Sequence, residues 1–189
     1  MTLRTLVLGG TRSGKSGYAE QLLRDEPAVT YVATARRDPD DAEWEARIAA
    51  HAARRPTRWV TVEPARPGDL AALLVGAGSS DPPLLVDDLG AGLTGALDDV
   101  GAWDGGGTVE HDVAELVEAV RRCTARLVLV SAEVGLGVVP ETRSGRLFRD
   151  ELGSLNASLA MTCDEVLLLV AGIPLRLKQP DQPTPEVGR

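Results

Sequence analysis

The chain has 189 residues, of which 43% are hydrophobic and 25% charged, and its formal net charge is −8. This length and mix predict one globular domain with its own core. The acidic balance argues against binding the nucleic-acid backbone, which requires a basic surface. No segment approaches the ~18 apolar residues of a membrane helix, so we expect no membrane insertion.

The two cysteines, Cys123 and Cys163, fit a reducing compartment, and the N-terminal residues lack the pattern of a secretion signal. We therefore expect free thiols and a cytoplasmic protein.

Short apolar runs alternate with longer helical patterns, which predicts a largely parallel α/β sheet. The predicted strands are 3–8, 29–33, 58–62, 84–87, 127–131, 165–170 and 175–178. The predicted helices are 15–24, 41–53, 70–76, 109–123 and 146–161. A tight turn at Gly172-Ile173 would make the last strand an antiparallel edge. We expect 99–108 to be a flexible surface loop, 1–178 to form the domain, and the Pro-rich segment 179–189 to be a disordered tail.

The stretch "LVLGGTRSGKSGYAE" contains the phosphate-loop pattern G-x-x-x-x-G-K-[ST] between a predicted strand and a predicted helix. Such a loop turns backbone N–H groups toward phosphates at a helix N-terminus. Lys15 would reach the terminal phosphates, and the Ser16 hydroxyl would be a ligand of Mg²⁺. The predicted nucleotide-binding residues of the loop are Gly9, Gly10, Thr11, Arg12, Ser13, Gly14, Lys15 and Ser16.

The segment "PLLVDDLG" places Asp87 directly after another apolar strand. We expect this carboxylate to hold Mg²⁺ together with Ser16, or to orient an acceptor hydroxyl. The alternative is that Asp87, or more readily Asp88, caps the structure that follows. These features predict a P-loop nucleotide enzyme without distinguishing kinases, ATPases and GTPases.

His51 lies late in the predicted helix of "DDAEWEARIAAHAARRP". Helical spacing puts Arg47, Arg54 and Arg55 on its face. Their charge would bind a polyphosphate and favour the neutral, nucleophilic imidazole, whereas the helix C-terminus favours the imidazolium. The spacing alone leaves open a solvated histidine without a catalytic role. The other histidine, His111, sits among acidic residues and is predicted to lie on a helix surface.

Taken together, the chain resembles the bifunctional adenosylcobinamide kinase / adenosylcobinamide-phosphate guanylyltransferase family of cobalamin biosynthesis. The resemblance rests on "GGTRSGKSGYAE", "YVATA", "EARIAAHAARRP", "LLVDDL", "EVGLGVVPETRSGRLFRDELGSLNASLA" and "DEVLLLVAGIPLRLK". It implies a single-domain P-loop NTPase fold of the RecA-like type, with a mostly parallel sheet flanked by helices. It also implies a homo-oligomer, expected to be a trimer.

The resemblance implies two activities. The first transfers the γ-phosphoryl group of ATP or GTP to adenosylcobinamide, and the second transfers GMP from GTP to adenosylcobinamide phosphate, giving adenosyl-GDP-cobinamide. In the family the second step passes through a GMP–histidine intermediate, at the position of His51 here. The remaining nucleotide contacts implied by the resemblance are Thr34, Ala35, Arg36, Ala52, Ala53, Arg54, Arg55, Glu63 and Asp87.

Two alternatives remain at this stage: a small-molecule kinase without guanylylation, and a nucleotide-dependent regulatory switch. The chain also departs from the family pattern after Asp87, where "DDLGAGLTGAL" has glycines at 90, 92 and 95. Because Lys15 should hold terminal phosphates while His51 must reach an α-phosphorus, we expect that the His51 helix moves or that the nucleotide binds in two poses.

Overall fold

The computed structural model describes residues 3–53 and 55–180, without the side chains of Arg47 and His51. In this part of the chain, one sheet is formed by β1 (Arg4–Gly9), β2 (Thr30–Ala33), β3 (Val60–Val62), β4 (Leu84–Asp87), β5 (Leu127–Ala132), β6 (Glu165–Val170) and β7 (Ile173–Lys178). The same residues form the helices α1 (Lys15–Leu22), α2 (Ala42–Ala53), α3 (Pro67–Gly76), α4 (Leu89–Asp99), α5 (Glu110–Arg122) and α6 (Arg143–Thr162). The predicted tail 179–189 falls outside the described residues from position 181 onward.

The strand order is β3-β2-β4-β5-β1-β6-β7. The first six strands pair in parallel, and β7 pairs antiparallel with β6, as predicted. Because the parallel strands end at one edge of the sheet, the segments after β1, β2, β3 and β4 meet there.

The sheet is covered on both faces, as the alternation of side chains along β1 shows. Leu6 and Leu8 pack into a cluster with α3, α4, α5 and α6, whereas Val7 points to the opposite cluster with Ala19 and Leu23 near α1. Strands buried on both faces are the reason these segments read as continuous apolar runs.

The structure differs from the sequence prediction at the last hairpin. Ala171 and Gly172 have φ of 51° and 82°, so they are the two turn residues, and Ile173 already belongs to β7. The predicted turn at Gly172-Ile173 is therefore wrong by one residue. A two-residue turn with positive φ at both positions matches the twist of the strands that it joins.

A second difference is α4, which is absent from the predicted elements because its glycines disfavour a helix. Part of the predicted loop 99–108 also forms a 3₁₀ turn, Ala102–Asp104, with Ala102 buried.

Both cysteines are buried and free, as expected, and burial raises the pKa of the Cys163 thiol to about 12. No helix in the described part of the chain has the length and apolar character needed to cross a membrane.

Candidate functional site

The phosphate loop links β1 to α1 through a conformation that two of its glycines permit. Gly14, the N-cap of α1, has φ of 89°. Residues with a side chain rarely adopt this left-handed backbone conformation. A Cβ on Gly9 would lie 2.4 Å from the Ser13 hydroxyl and 3.0 Å from the Leu169 carbonyl oxygen, so a larger residue there would have to shift one of these neighbours. The N-terminus of α1 and its backbone N–H groups thus border the loop as phosphate binding requires.

The β6–β7 turn supports this loop from outside the motif. The Gly172 N–H donates to the Ser13 carbonyl at 3.0 Å. The Gly172 Cα lies 3.7 Å from the position that a Cβ on Gly14 would take. The C-terminal hairpin therefore helps to fix the loop.

Asp87, at the end of β4, faces the first turn of α1 across β5. The Ser16 hydroxyl donates to Asp87 Oδ1 at 3.1 Å, so the structure brings together the two predicted ligands of Mg²⁺. A hydroxyl and a carboxylate are the hard oxygen donors that Mg²⁺ prefers. Among the described residues no three His, Cys, Asp or Glu side chains cluster as a metal site. This donor set fits a Mg²⁺ ion that takes its other ligands from phosphates and water.

Tyr31 holds the other oxygen of the same carboxylate. Its hydroxyl donates to Asp87 Oδ2 at 2.7 Å, and the residue is only 1% exposed. Burial, followed by the charge of Asp87 and this hydrogen bond, raises the pKa of Tyr31, so its hydroxyl stays protonated as a donor. Tyr31 is not among the predicted site residues. One sequence signal could have pointed to it, namely a tyrosine within an apolar strand. A buried phenol requires a hydrogen-bond partner, so such a tyrosine is expected to contact a polar group.

Arg55 lies on the ring of Tyr31, with its guanidinium carbon 3.5 Å from the ring centroid. Because α2 ends at Ala53, Arg55 lies two residues beyond the helix, and its predicted place on the face of His51 stays a prediction. The backbone of His51 is in the last turn of α2, and Ala52 and Ala53 are exposed at its end. The side chains of His51 and Arg47 and the whole of Arg54 lie outside the described residues, so their predicted roles stay predictions.

Asp88 is the N-cap of α4, and its carboxylate accepts from the Ala91 N–H at 2.8 Å. Burial raises the pKa of Asp88, while the hydrogen bond from Ala91 and the charge of Lys15 oppose the rise. The capping alternative is confirmed for Asp88. Lys15 is half-buried, and its ammonium has no hydrogen-bond or ion-pair partner among the described residues.

The segment after β2 contacts α4 through Thr34 and Arg36. Thr34 donates to the Asp88 carbonyl, and Arg36 forms two hydrogen bonds with Asp99, at 2.8 and 2.5 Å. The hydrogen bonds to Asp99 raise the pKa of Arg36, and those from Arg36 lower the pKa of Asp99. A Cβ on Gly95 would lie 2.8 Å from Arg36 Nε. The glycine-rich stretch therefore makes room for this segment.

Ala35 is half-buried in the same segment, and Glu63, after β3, is exposed and lies 3.8 Å from Arg37 in an ion pair. In the described part of the chain, the contacts of Arg36 and Glu63 do not include the phosphate loop.

An apolar pocket with a volume of about 60 Å³ opens beside Thr34. Its walls include Leu70 of α3, Leu93 of α4 and Leu116 of α5, and Arg36 and Arg66 also line it. The residues that line this pocket do not include those of the phosphate loop, 9–16.

The solved structure of a prototypical ATPase from the type III secretion system of pathogenic bacteria has the same fold. Its TM-score is 0.56 at 11% identity, covering 90% of this chain and 52% of that chain. This likeness concerns the fold alone and agrees with the predicted fold, a mostly parallel sheet flanked by helices.

Two curated relatives align over almost their whole length. The bifunctional adenosylcobalamin biosynthesis protein CobU of Salmonella typhimurium is 39% identical, with 92% of this chain and 98% of that protein covered. The bifunctional adenosylcobalamin biosynthesis protein CobP of Pseudomonas aeruginosa is 43% identical, with 93% and 98% covered. A family model described as cobinamide kinase / cobinamide phosphate guanyltransferase matches residues 5–177. With a phosphate loop, a facing carboxylate and a match of this extent, the chain belongs to the cobinamide kinase / cobinamide phosphate guanyltransferase family.

Proposed function

We propose that this chain phosphorylates adenosylcobinamide with ATP or GTP and then transfers GMP from GTP to adenosylcobinamide phosphate. The observation that supports it most directly is the Ser16–Asp87 pair beside the phosphate loop, 3.1 Å apart, in a chain of this family.

In the kinase step, the loop N–H groups and the Lys15 ammonium bind the β- and γ-phosphates. Ser16 and Asp87 would hold Mg²⁺, which would neutralise charge on the transferring phosphoryl group when it is bound. The acceptor hydroxyl attacks the γ-phosphorus, its O–P bond forms, and the bond to the β-phosphate oxygen breaks. ADP or GDP leaves, and the proton of the hydroxyl passes to solvent. In this proposal, Asp87 could also orient this hydroxyl.

In the second step, an imidazole nitrogen of His51 attacks the α-phosphorus of GTP and pyrophosphate leaves. The phosphate of adenosylcobinamide phosphate then attacks the same phosphorus. The P–N bond breaks, and the new P–O bond gives adenosyl-GDP-cobinamide. The segment Thr34–Arg36, the end of α2 and Glu63 supply the further nucleotide contacts in this proposal. We place the activity in the cytoplasm and expect a trimer.

The test is the intact mass of the protein after incubation with GTP and Mg²⁺. We expect a covalent GMP adduct and one pyrophosphate released per adduct. The adduct should be absent in His51→Ala and present in His111→Ala, which removes the other histidine of the chain from an exposed position on α5.

Absence of the adduct from the wild type would contradict the guanylyltransferase step. If that protein still phosphorylated adenosylcobinamide, the chain would be a kinase alone.

A further inference from the structure

Arg55, two residues beyond the end of α2, and the Asp87 carboxylate contact the same residue, Tyr31. The Tyr31 hydroxyl donates to Asp87 Oδ2 at 2.7 Å, and its ring face receives the Arg55 guanidinium at 3.5 Å. The two contacts use different parts of one side chain. Each can therefore be removed without the other.

Arg55 is attached to the last turn of α2, because its N–H donates to the Ala52 carbonyl at 3.2 Å. The other end of the helix has its own attachments, among them the Trp44 indole N–H, which donates to the Arg36 carbonyl at 2.8 Å. Between these ends α2 is largely exposed. Arg55 therefore fastens the end of the helix that carries His51.

The contacts of Arg55 require its planar, charged group. Arg55 Nη1 donates to Thr61 Oγ1 at 3.1 Å while the guanidinium plane covers the ring of Tyr31. Tyr31 and Thr61 are register partners on β2 and β3, so Arg55 bridges two neighbouring strands. A lysine would keep the charge but cannot stack flat and donate sideways in the same way.

Resting on the proposed function, we propose that Tyr31 and Arg55 are positioning residues that join the two reactions. The Tyr31 hydroxyl orients Asp87 for the metal-dependent phosphoryl transfer. The Tyr31 ring holds Arg55 and thereby keeps the end of α2, with His51, at the nucleotide.

The first variant is Tyr31→Phe, which removes the hydroxyl and keeps the ring for Arg55. Loss of a group that orients a metal ligand should raise the Mg²⁺ concentration needed for half-maximal phosphoryl transfer about tenfold. The same shift should appear in the Mg²⁺ concentration at which a non-hydrolysable GTP analogue raises the melting temperature. At saturating Mg²⁺ the rate of GMP adduct formation should stay within about twofold of the wild type, because the stack remains. Tyr18→Phe, the other tyrosine of the chain, is the matched control.

The second variant is Arg55→Lys, which keeps the charge and loses the flat stack. The rate of GMP adduct formation should fall about fivefold, a larger loss than that of phosphoryl transfer, because the stack holds the end of α2 and does not hold Asp87. The matched control is Arg58→Lys, because the hydrogen bonds of Arg58 go to the carbonyls of Arg24 and Glu26. Circular dichroism melting of all variants checks that they are folded.

An unchanged Mg²⁺ midpoint in Tyr31→Phe would overturn the role of its hydroxyl. An unchanged adduct rate in Arg55→Lys, or an equal loss in both steps, would overturn the role of the stack. A wild type that forms no GMP adduct contradicts the proposed function and the Arg55 role with it, while the Mg²⁺ midpoint still decides the role of Tyr31.

Discussion

The two lysines of the chain differ in their side-chain contacts. We therefore expect one of them to act in catalysis and the other in stability. Lys15 follows Gly14 at the start of α1, and its ammonium makes no ion pair or hydrogen bond with any described residue. Lys178 donates to the carbonyls of Ala160 and Met161 at 3.1 and 3.2 Å, in the last turn of α6. A cation at that end satisfies carbonyl groups that have no partner within the helix.

Replacing each lysine by alanine should therefore have opposite consequences. We expect Lys15→Ala to lower kcat/KM for phosphoryl transfer by about 10²–10³, because a charge aimed at the transferring group is lost, with the melting temperature unchanged. Lys178→Ala should lower the free energy of unfolding by about 1 kcal/mol and leave kcat/KM near the wild-type value. Steady-state kinetics and urea unfolding measure the two effects. Normal phosphoryl transfer in Lys15→Ala would contradict the phosphate-loop role.

The site residues that could be predicted from the sequence are those that belong to a short local pattern. Lys15, Ser16 and Asp87 follow from a motif and from the end of an apolar strand, and the structure brings Ser16 and Asp87 into contact. Tyr31 and Arg55 come together through the pairing of β2 with β3 and through the end of α2. Contacts of this kind depend on tertiary geometry, which a helical or strand period does not contain.

At the level of secondary structure, α4 is the helix that is absent from the predicted elements, and its glycines explain the difference. Three glycines in eleven residues disfavour a helix. The helix is stabilised instead by the Asp88 cap and by burial of Leu89, Leu93 and Leu97 at four-residue spacing. Strands such as β4 and β6, by contrast, match their predicted bounds because they are apolar runs buried on both sides.

Substituting alanine for glycine in two helices tests this account. Gly153, in α6, has nothing within 4 Å of an added Cβ, so Gly153→Ala should raise the free energy of unfolding by about 0.5–1 kcal/mol. Gly95→Ala should gain less or nothing, because the methyl group must displace the Arg36 guanidinium from Asp99. Thermal unfolding of both variants gives the comparison. An equal gain at the two positions would show that Arg36 does not require the space at Gly95.

At the scale of the whole molecule, Arg4 and Asp164 join parts of the fold that are 160 residues apart in sequence. The Arg4 guanidinium and backbone N–H both donate to the Asp164 carboxylate, and the Asp164 N–H donates to the Arg4 carbonyl at 2.9 Å. Arg4 Nη1 also reaches the Arg121 carbonyl on α5. Burial opposes the charged form of Asp164, but the hydrogen bonds and charge of Arg4 outweigh it and lower the pKa of this carboxyl.

This pair predicts a contribution to stability that depends on pH. A carboxyl whose pKa is lower in the folded state than its ordinary value of about 3.9 stabilises the fold above that value. The stabilisation is lost as the pH falls through the lowered pKa of the folded state. Asp164→Asn should therefore lower the free energy of unfolding by about 2 kcal/mol at pH 7, and the difference from the wild type should shrink at acidic pH below 4.

Urea unfolding of both proteins between neutral and strongly acidic pH measures this difference. Asp25→Asn is the control, because Asp25 is 91% exposed in its ion pair with Arg24 and such pairs contribute little. That control should follow the wild type at every pH. A difference between Asp164→Asn and the wild type that stayed constant with pH would place the effect in packing or neutral hydrogen bonds, and the charge of Asp164 would then have no part in holding β1 to the start of β6.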